Sequence, residues 1–188
     1  MVSLLHVKPL TKEFLESIGF YWHTDPDNKP YIADTLVEVS KAEAEAYYEA
    51  VNELYDMFVE AAEHVIENNL FHEMGIPFNL VDSIKKSWEN EVHWHLYGRF
   101  DLAGGIELIE FNADTPTALF ETAIIQWAQL KYNGMNEASQ FNTVYEALKE
   151  NFKRLVVLGG DTEDFNKHYE GWKILFSSIA GSIEDENR

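Results

Sequence analysis

Four polar residues flank a Gly-Gly pair in the stretch RFDLAGGIELIEFNADTPT, which covers residues 99–117. Arg99 and Asp101 precede Gly104-Gly105, while Glu110 and Asn112 follow it. Two carboxylates and a carboxamide are hard oxygen donors, the set that suits Mg²⁺ or Mn²⁺ when a substrate phosphate completes the coordination shell. A guanidinium beside them offsets negative charge on a transferred phosphoryl group or an oxyanion. Thr115 and Thr117 follow at once, and hydroxyls and amides at the start of a helix hold a carboxylate or phosphate oxygen. The plain alternative is an arginine paired with a facing acid on a solvated strand.

A β-hairpin brings these groups together. If Gly104-Gly105 forms a two-residue turn, Ala103 faces Ile106, Asp101 pairs with Leu108, Arg99 with Glu110, and Tyr97 with Asn112. Strand alternation then sets Arg99, Asp101, Glu110 and Asn112 on one face, with Asp101 and Glu110 on a diagonal of about 7 Å. Phe100, Leu102, Ile109 and Phe111 cover the other face. The expectation is sensitive to register, because a three-residue loop would separate the acids from Arg99.

His93 and His95 lie on the polar face if the first strand is continuous from about His93 to Leu102. His-x-His on a strand chelates transition metals, and Glu110 would complete a two-histidine, one-carboxylate site. Alternatively, the two histidines are partly buried and satisfied by backbone or by Tyr97. His6, His23, His64, His72 and His168 have no ligand spacing. The sequence contains no Walker-type loop, no G-x-G-x-x-G and no G-x-S-x-G.

The surrounding pattern supplies scaffold. Asp25-Pro-Asp-Asn-Lys-Pro30 signals a turn, and Ser40 with Glu43 forms a capping box that opens a long helix. Tyr47, Val51, Leu54, Phe58, Ala62 and Val65 make its apolar stripe. Gly75 and Pro77 break that pattern, and a short helix is expected over Leu80 to Trp88, beginning near Asn79. Thr115 as N-cap and Pro116 in the first helical position open a helix that runs to about Tyr132, where Asn133-Gly134 ends it. Leu119, Ala123, Trp127 and Leu130 form its buried face. A further helix over about Glu137–Phe152 precedes an apolar stretch, Lys153 to Leu158, which reads as a strand. Trp172–Ser178 reads as another strand, and Ser182–Glu186 as a helix just starting.

The fold class expected is mixed α/β (α+β), a sheet containing a hairpin at about 93–112 packed by several helices, with the chain ending at the opening of a βα unit. Residues 1–170 would form one region with the hairpin and 171–188 the beginning of a second, so that the whole reads as the front part of something longer.

Composition narrows the chemistry. The 188 residues are 46% hydrophobic and 14% aromatic, enough for a sizeable core. With no cysteine, a thiolate nucleophile, a disulfide framework and Cys-ligated zinc are excluded, so any metal is held by oxygen or imidazole. A formal charge of -19, from 33 acids against 14 Lys and Arg, opposes nucleic-acid binding. Acid excess suits cationic small molecules such as polyamines, or simply gives a soluble surface. No apolar run approaches the ~20 residues of a membrane span, and the N-terminus lacks a signal-like segment, so no membrane association and a cytoplasmic location are expected.

The run RFDLAGGIELIEFNADTPTALFETAIIQW resembles the motif of the glutathionylspermidine synthase family, ATP-grasp-type ligases that join glutathione to spermidine. The family pattern is R-F-D, a short turn, then E-[YF]-N-A-D-[ST]-x-[ST]. The match is strong from Arg99 to about Trp127, and the flanking Trp88–Tyr97 and Phe141–Arg154 segments are compatible. The resemblance implies that Asp101, Glu110 and Asn112 are Mg²⁺ ligands and that Arg99 stabilises the phosphorylated intermediate. Thr115 and Thr117 stand where the family has serines that contact glutathione. Threonine keeps the hydroxyl and adds a methyl, which admits a different peptide.

The family mechanism phosphorylates the glycine carboxylate of glutathione from ATP, and a spermidine amine then attacks the acyl phosphate. Family members are much longer, so the resemblance implies that ATP is held mainly by a part beyond Arg188 and that these residues alone do not turn over. Two other readings accompany this one. The first is a non-catalytic binding or interaction module of the same fold. The second is the His93/His95/Glu110 transition-metal enzyme.

Overall fold

The computed structural model describes residues 3–90, 95–113, 116–140, 142–157, 169–171 and 173. It is a mixed α/β structure with five helices and two small antiparallel sheets among those residues. The chain divides into two compact units, one drawn from Met1–Ala44 and Pro116–Ala147, the other from Glu45–Thr115 and Leu148–Glu170, with Gly171 onward assigned to the first.

In the first unit, β1 (Ser3–His6) pairs antiparallel with β2 (Thr35–Glu38), and α1 (Lys12–Ser17) lies between them in sequence. Thr11 caps α1 by accepting the Phe14 amide at 3.2 Å. The turn signalled by Asp25–Pro30 is present. Asn28, at φ 65°, donates its amide to the Asp25 carbonyl at 2.8 Å. The core gathers Leu15, Phe20 and Ile125, with Leu10, Ile18, Trp22, Ile32 and Phe120 packed against them. Asn133 ties in the N-terminal arm, accepting from the Lys8 amide at 2.7 Å and donating to the Lys8 carbonyl at 3.1 Å.

The helix after the hairpin differs from expectation at its start. Pro116 is buried and precedes the helix rather than opening it, and Ala118 adopts φ 65°. Helical structure begins at Leu119, passes through a π-helical segment, Glu121–Ile125, and continues as α4 (Gln126–Tyr132). A left-handed residue cannot lie inside an α-helix, so the N-terminus is displaced beyond Ala118. Gly134, at φ 64°, closes α4 as expected, and the Met135 amide reaches back to the Leu130 carbonyl at 2.9 Å.

Ser40 and Glu43 form the expected capping box. Ser40 donates its amide to Glu43 Oε2 at 3.0 Å, and the Glu43 amide returns to Ser40 Oγ at 3.2 Å. This starts α2 (Lys41–Glu67), whose stripe is half-buried rather than enclosed. Within the second unit Phe58 of the stripe and its neighbour Tyr55 lie against the hairpin aromatics. Gly75, at φ 70°, and Pro77 then end a turn that leads into α3 (Val81–Trp88).

The stretch expected as a strand from Lys153 is instead helical. α5 (Val144–Val156) runs through Lys153, Arg154, Leu155 and Val156. A short apolar run has no periodicity of its own to separate strand from buried helix, and here the helix already under way continues through it. Leu158, Trp172–Ser178 save Lys173, and Ser182–Glu186 lie outside the described residues. Among the described residues, no helix is long and apolar enough to cross a membrane.

Candidate functional site

The hairpin consists of β3 (Arg99–Ala103) and β4 (Glu107–Asn112). Its loop has three residues rather than two. Gly104, Gly105 and Ile106 connect Ala103 to its partner Glu107, with Gly105 at φ 93°, Ile106 at φ 64°, and the Ile106 amide bonded to the Ala103 carbonyl at 3.0 Å. Such a loop shifts the register by one and turns every side chain of one strand to the other face.

A second irregularity restores the face. Leu102 pairs with Leu108, but Asp101 pairs with Glu110, so Ile109 is an extra residue in β4. This bulge moves the register by one more position. From there on, Asp101 faces Glu110, Phe100 faces Phe111, and Arg99 faces Asn112. The polar quartet therefore occupies one face, as expected. The pairing is tighter than expected, because the carboxylates are directly opposed instead of diagonal, a separation of roughly 4.5–5.5 Å between Cβ atoms. Ile109 is the casualty. Expected on the apolar face, it is 67% exposed, because the bulge removes it from the alternation.

Along each strand the quartet is joined by hydrogen bonds. Arg99 donates from Nε to Asp101 Oδ1 at 2.7 Å and from Nη2 to Oδ2 at 3.3 Å. Asn112 donates from Nδ2 to Glu110 Oε1 at 2.7 Å. The Arg99 guanidinium holds the Asp101 carboxyl below the usual carboxylate range, outweighing its partial desolvation, and hydrogen bonding with Glu110 acts in the same direction. The bond to Asp101 in turn raises the pKa of Arg99. Tyr97 is half-buried, and desolvation pushes its phenol up against the opposing pull of Arg99.

The opposite face is aromatic. Phe100 and Phe111 stack with ring centroids 4.1 Å apart and planes at 11°. Phe58 of α2 lies 4.9 Å from Phe111 and 5.9 Å from Phe100. His95 belongs to this side and not to the polar one. Residues 95–98 are not strand, so alternation does not extend back from Arg99. The His95 ring is stacked on Tyr55 at 5.5 Å and 15°, meets the edge of Phe111 at 5.9 Å, and donates from Nε2 to the Ala113 carbonyl at 2.8 Å. His95 therefore does not join Glu110 as a metal ligand. His93 lies outside the described residues. Among the described residues no group of three or more His, Asp or Glu side chains is arranged to hold a metal ion.

Gly98 permits this arrangement. A Cβ there would fall 2.7 Å from His95 Cε1 and 2.8 Å from Phe111 Cε2. Sequence reasoning passed over Gly98 and Tyr55, although a glycine immediately before a strand signals close backbone approach.

Thr115 lies outside the described residues. Thr117 is exposed and belongs to the first unit, whereas the quartet belongs to the second.

Residues 2–188 match the family described as glutathionylspermidine synthase pre-ATP-grasp. The chain belongs to that family. Curated relatives agree with the assignment. A Haemophilus influenzae protein provisionally named an acid–amine ligase is 31% identical over 163 residues, covering 83% of this chain and 41% of its own length. The bifunctional glutathionylspermidine synthetase/amidases of Escherichia coli and Shigella flexneri are each 28% identical over 170 residues, or 86% of this chain and 26% of theirs. The chain thus spans less than half the length of these relatives of the glutathionylspermidine synthase family.

Proposed function

We propose that this chain supplies the metal-binding hairpin of an ATP-dependent acid–amine ligase, acting on a glutathione-like peptide and a spermidine-like polyamine. The observation that carries the reading is the direct opposition of Asp101 and Glu110, with Arg99 and Asn112 one alternation further along the same face.

The donor set fits Mg²⁺, with Mn²⁺ as an alternative. Asp101 accepts two bonds from Arg99, yet an ionised carboxylate offers about four lone-pair sites. Asn112 donates from Nδ2, which leaves its carbonyl oxygen as the hard donor. Two acidic side chains share this face with a single guanidinium, an excess of acid that favours a cation. Asp101, Glu110 and the Asn112 carbonyl would hold the metal, which when bound supplies charge neutralisation for transferring phosphoryl oxygens.

The reaction has two steps. An oxygen of the peptide carboxylate attacks the γ-phosphorus of ATP, giving an acyl phosphate and ADP. The amine nitrogen then attacks the acyl carbon, the C–O bond to phosphate breaks, and the amide forms with loss of a proton and inorganic phosphate. Arg99, fixed in orientation by its two bonds to Asp101, sets a permanent positive charge beside the reacting phosphoryl group. Thr115 and Thr117 would bind the peptide through their hydroxyls. ATP itself would be held mainly by residues outside this chain.

The test is ligation by the complete gene product. ADP release and amide formation would be followed by mass spectrometry with ATP, Mg²⁺, glutathione and spermidine. Asp101→Asn should lower turnover by on the order of 100-fold or more while the circular dichroism spectrum is retained. An Asp101→Asn enzyme with wild-type turnover would sink the proposal.

A further inference from the structure

The residues that approach the quartet from behind suggest how it is held in place. His95 and Tyr55 belong to neither the metal set nor the substrate contacts. His95 nonetheless donates to the carbonyl of Ala113, the residue immediately after Asn112. The ring is confined on three sides, by Tyr55 in a stack, by the edge of Phe111, and by Gly98 at a distance that leaves no room for a methyl. A histidine needed only to fill space would not require a hydrogen-bonding nitrogen at 2.8 Å from a main-chain oxygen. Beyond Asn112 the β3–β4 ladder ends, so the Ala113 carbonyl has no strand partner in the hairpin. The terminal pair of a two-stranded ladder is where fraying begins.

We infer that His95 is a positioning residue, a latch that fixes the end of β4 and thereby the Asn112 donor on the opposite face. Asn112 and Ala113 are consecutive, so holding the Ala113 carbonyl restrains the backbone one residue beyond Asn112 and limits fraying at that end of β4. Asn112 in turn orients Glu110 by its 2.7 Å bond. The inference rests on the ligase reading for its consequence in turnover, but the latch itself is a structural claim about the 188 residues.

Two variants separate the hydrogen bond from the packing. His95→Phe keeps a ring that stacks on Tyr55 and removes the donor. His95→Gln places an amide nitrogen near the position of Nε2 and restores it. In the 188-residue chain, hydrogen exchange of whichever of the Phe111 and Asn112 amides donates into the ladder should rise on the order of 10-fold in His95→Phe, with Glu107 unchanged and His95→Gln close to wild type. Equal exchange in all three proteins overturns the latch.

In the complete gene product, His95→Phe should raise the Mg²⁺ half-saturation concentration about 10-fold with kcat at saturating Mg²⁺ largely kept, and His95→Gln should reverse most of that rise. Unchanged half-saturation in His95→Phe, with Asp101→Asn inactive, overturns the role of His95 and leaves the ligase reading standing. Wild-type activity in Asp101→Asn overturns the ligase reading and, with it, the role of the latch in turnover.

Discussion

Gly98→Ala brings two opposing effects into competition at the back of the hairpin. Replacing glycine by alanine at a compatible backbone position stabilises by about 0.4–1 kcal/mol through the unfolded chain. Gly98 is not among the glycines with positive φ, so that gain is available. Against it, the new methyl would lie 2.7 Å from His95 Cε1 and 2.8 Å from Phe111 Cε2. Ordinary carbon contacts are ~3.5–4.0 Å, so each ring must retreat by roughly 0.7 Å or more. Displacing either ring breaks a contact, because His95, although exposed, is bonded to Ala113 and stacked on Tyr55, and Phe111 is stacked on Phe100.

Overpacking of this kind costs about 1–3 kcal/mol. The net expectation is a loss of about 1–2 kcal/mol, or a fall of roughly 2–8 °C in the thermal midpoint of a chain this size. Urea unfolding followed by tryptophan fluorescence measures it. In a His95→Ala background the same substitution should cost less, since the nearer of the two atoms is gone. A Gly98→Ala chain as stable as wild type, or more stable, would refute the packing argument.

Other perturbations test separate parts of the structure. Hydrogen bonding from the Ser40 amide is the largest of several effects, its hydroxyl among them, that lower the Glu43 pKa from an ordinary 4.5 to about 2. A depressed carboxyl stabilises fully above its unfolded pKa and loses that contribution as pH falls through the folded one. The stability difference between wild type and Glu43→Gln should therefore shrink from pH 4.5 downward through pH 2, and a difference that is constant over that range would contradict the capping box. Trp22 donates from Nε1 to Glu121 Oε1 at 3.0 Å, while the buried Oε2 has no hydrogen-bond partner among the described residues. Trp22→Phe should cost about 1–3 kcal/mol in urea unfolding beyond what Glu121→Gln in the same background costs, because it strands a buried carboxyl. Arg99→Gln should let Asp101 titrate closer to the ordinary carboxylate range, read by carbon NMR of its carboxyl; an unmoved titration would contradict the pairing.

Local signals in the sequence carried much of this fold. Ser40 and Glu43, Gly75, Gly134 and the Asp25–Pro30 turn act through their own backbone geometry, and each appears where its chemistry requires. Pro116 misled because its preference for a first helical turn says nothing of Ala118, whose left-handed conformation is imposed by context. Lys153–Val156 misled because apolar runs are ambiguous between strand and helix.

The hairpin is the more instructive case. The quartet's shared face was legible from alternation, but the route to it was not. A loop one residue longer and a bulge at Ile109 each shift register by one, and only together do they restore the face. Neither is encoded by a distinctive residue, since Ile106 and Ile109 are β-branched positions that strand propensity would place in the ladder. His95 was misplaced by extending the alternation through Gly98, where the strand has not yet begun.

The central claim is that Asp101, Glu110 and Asn112 form one cation site. In a chain with 33 acidic residues, the competing outcome is diffuse binding along acidic surfaces such as α2. Titration of the 188-residue chain with Mn²⁺, followed by paramagnetic broadening of backbone amide resonances, distinguishes the two. The account predicts that Asp101, Glu110 and Asn112 broaden at the lowest Mn²⁺ and that Asp101→Asn abolishes this first phase. Broadening that begins along Glu45–Glu63 of α2 and leaves the hairpin sharp would contradict it.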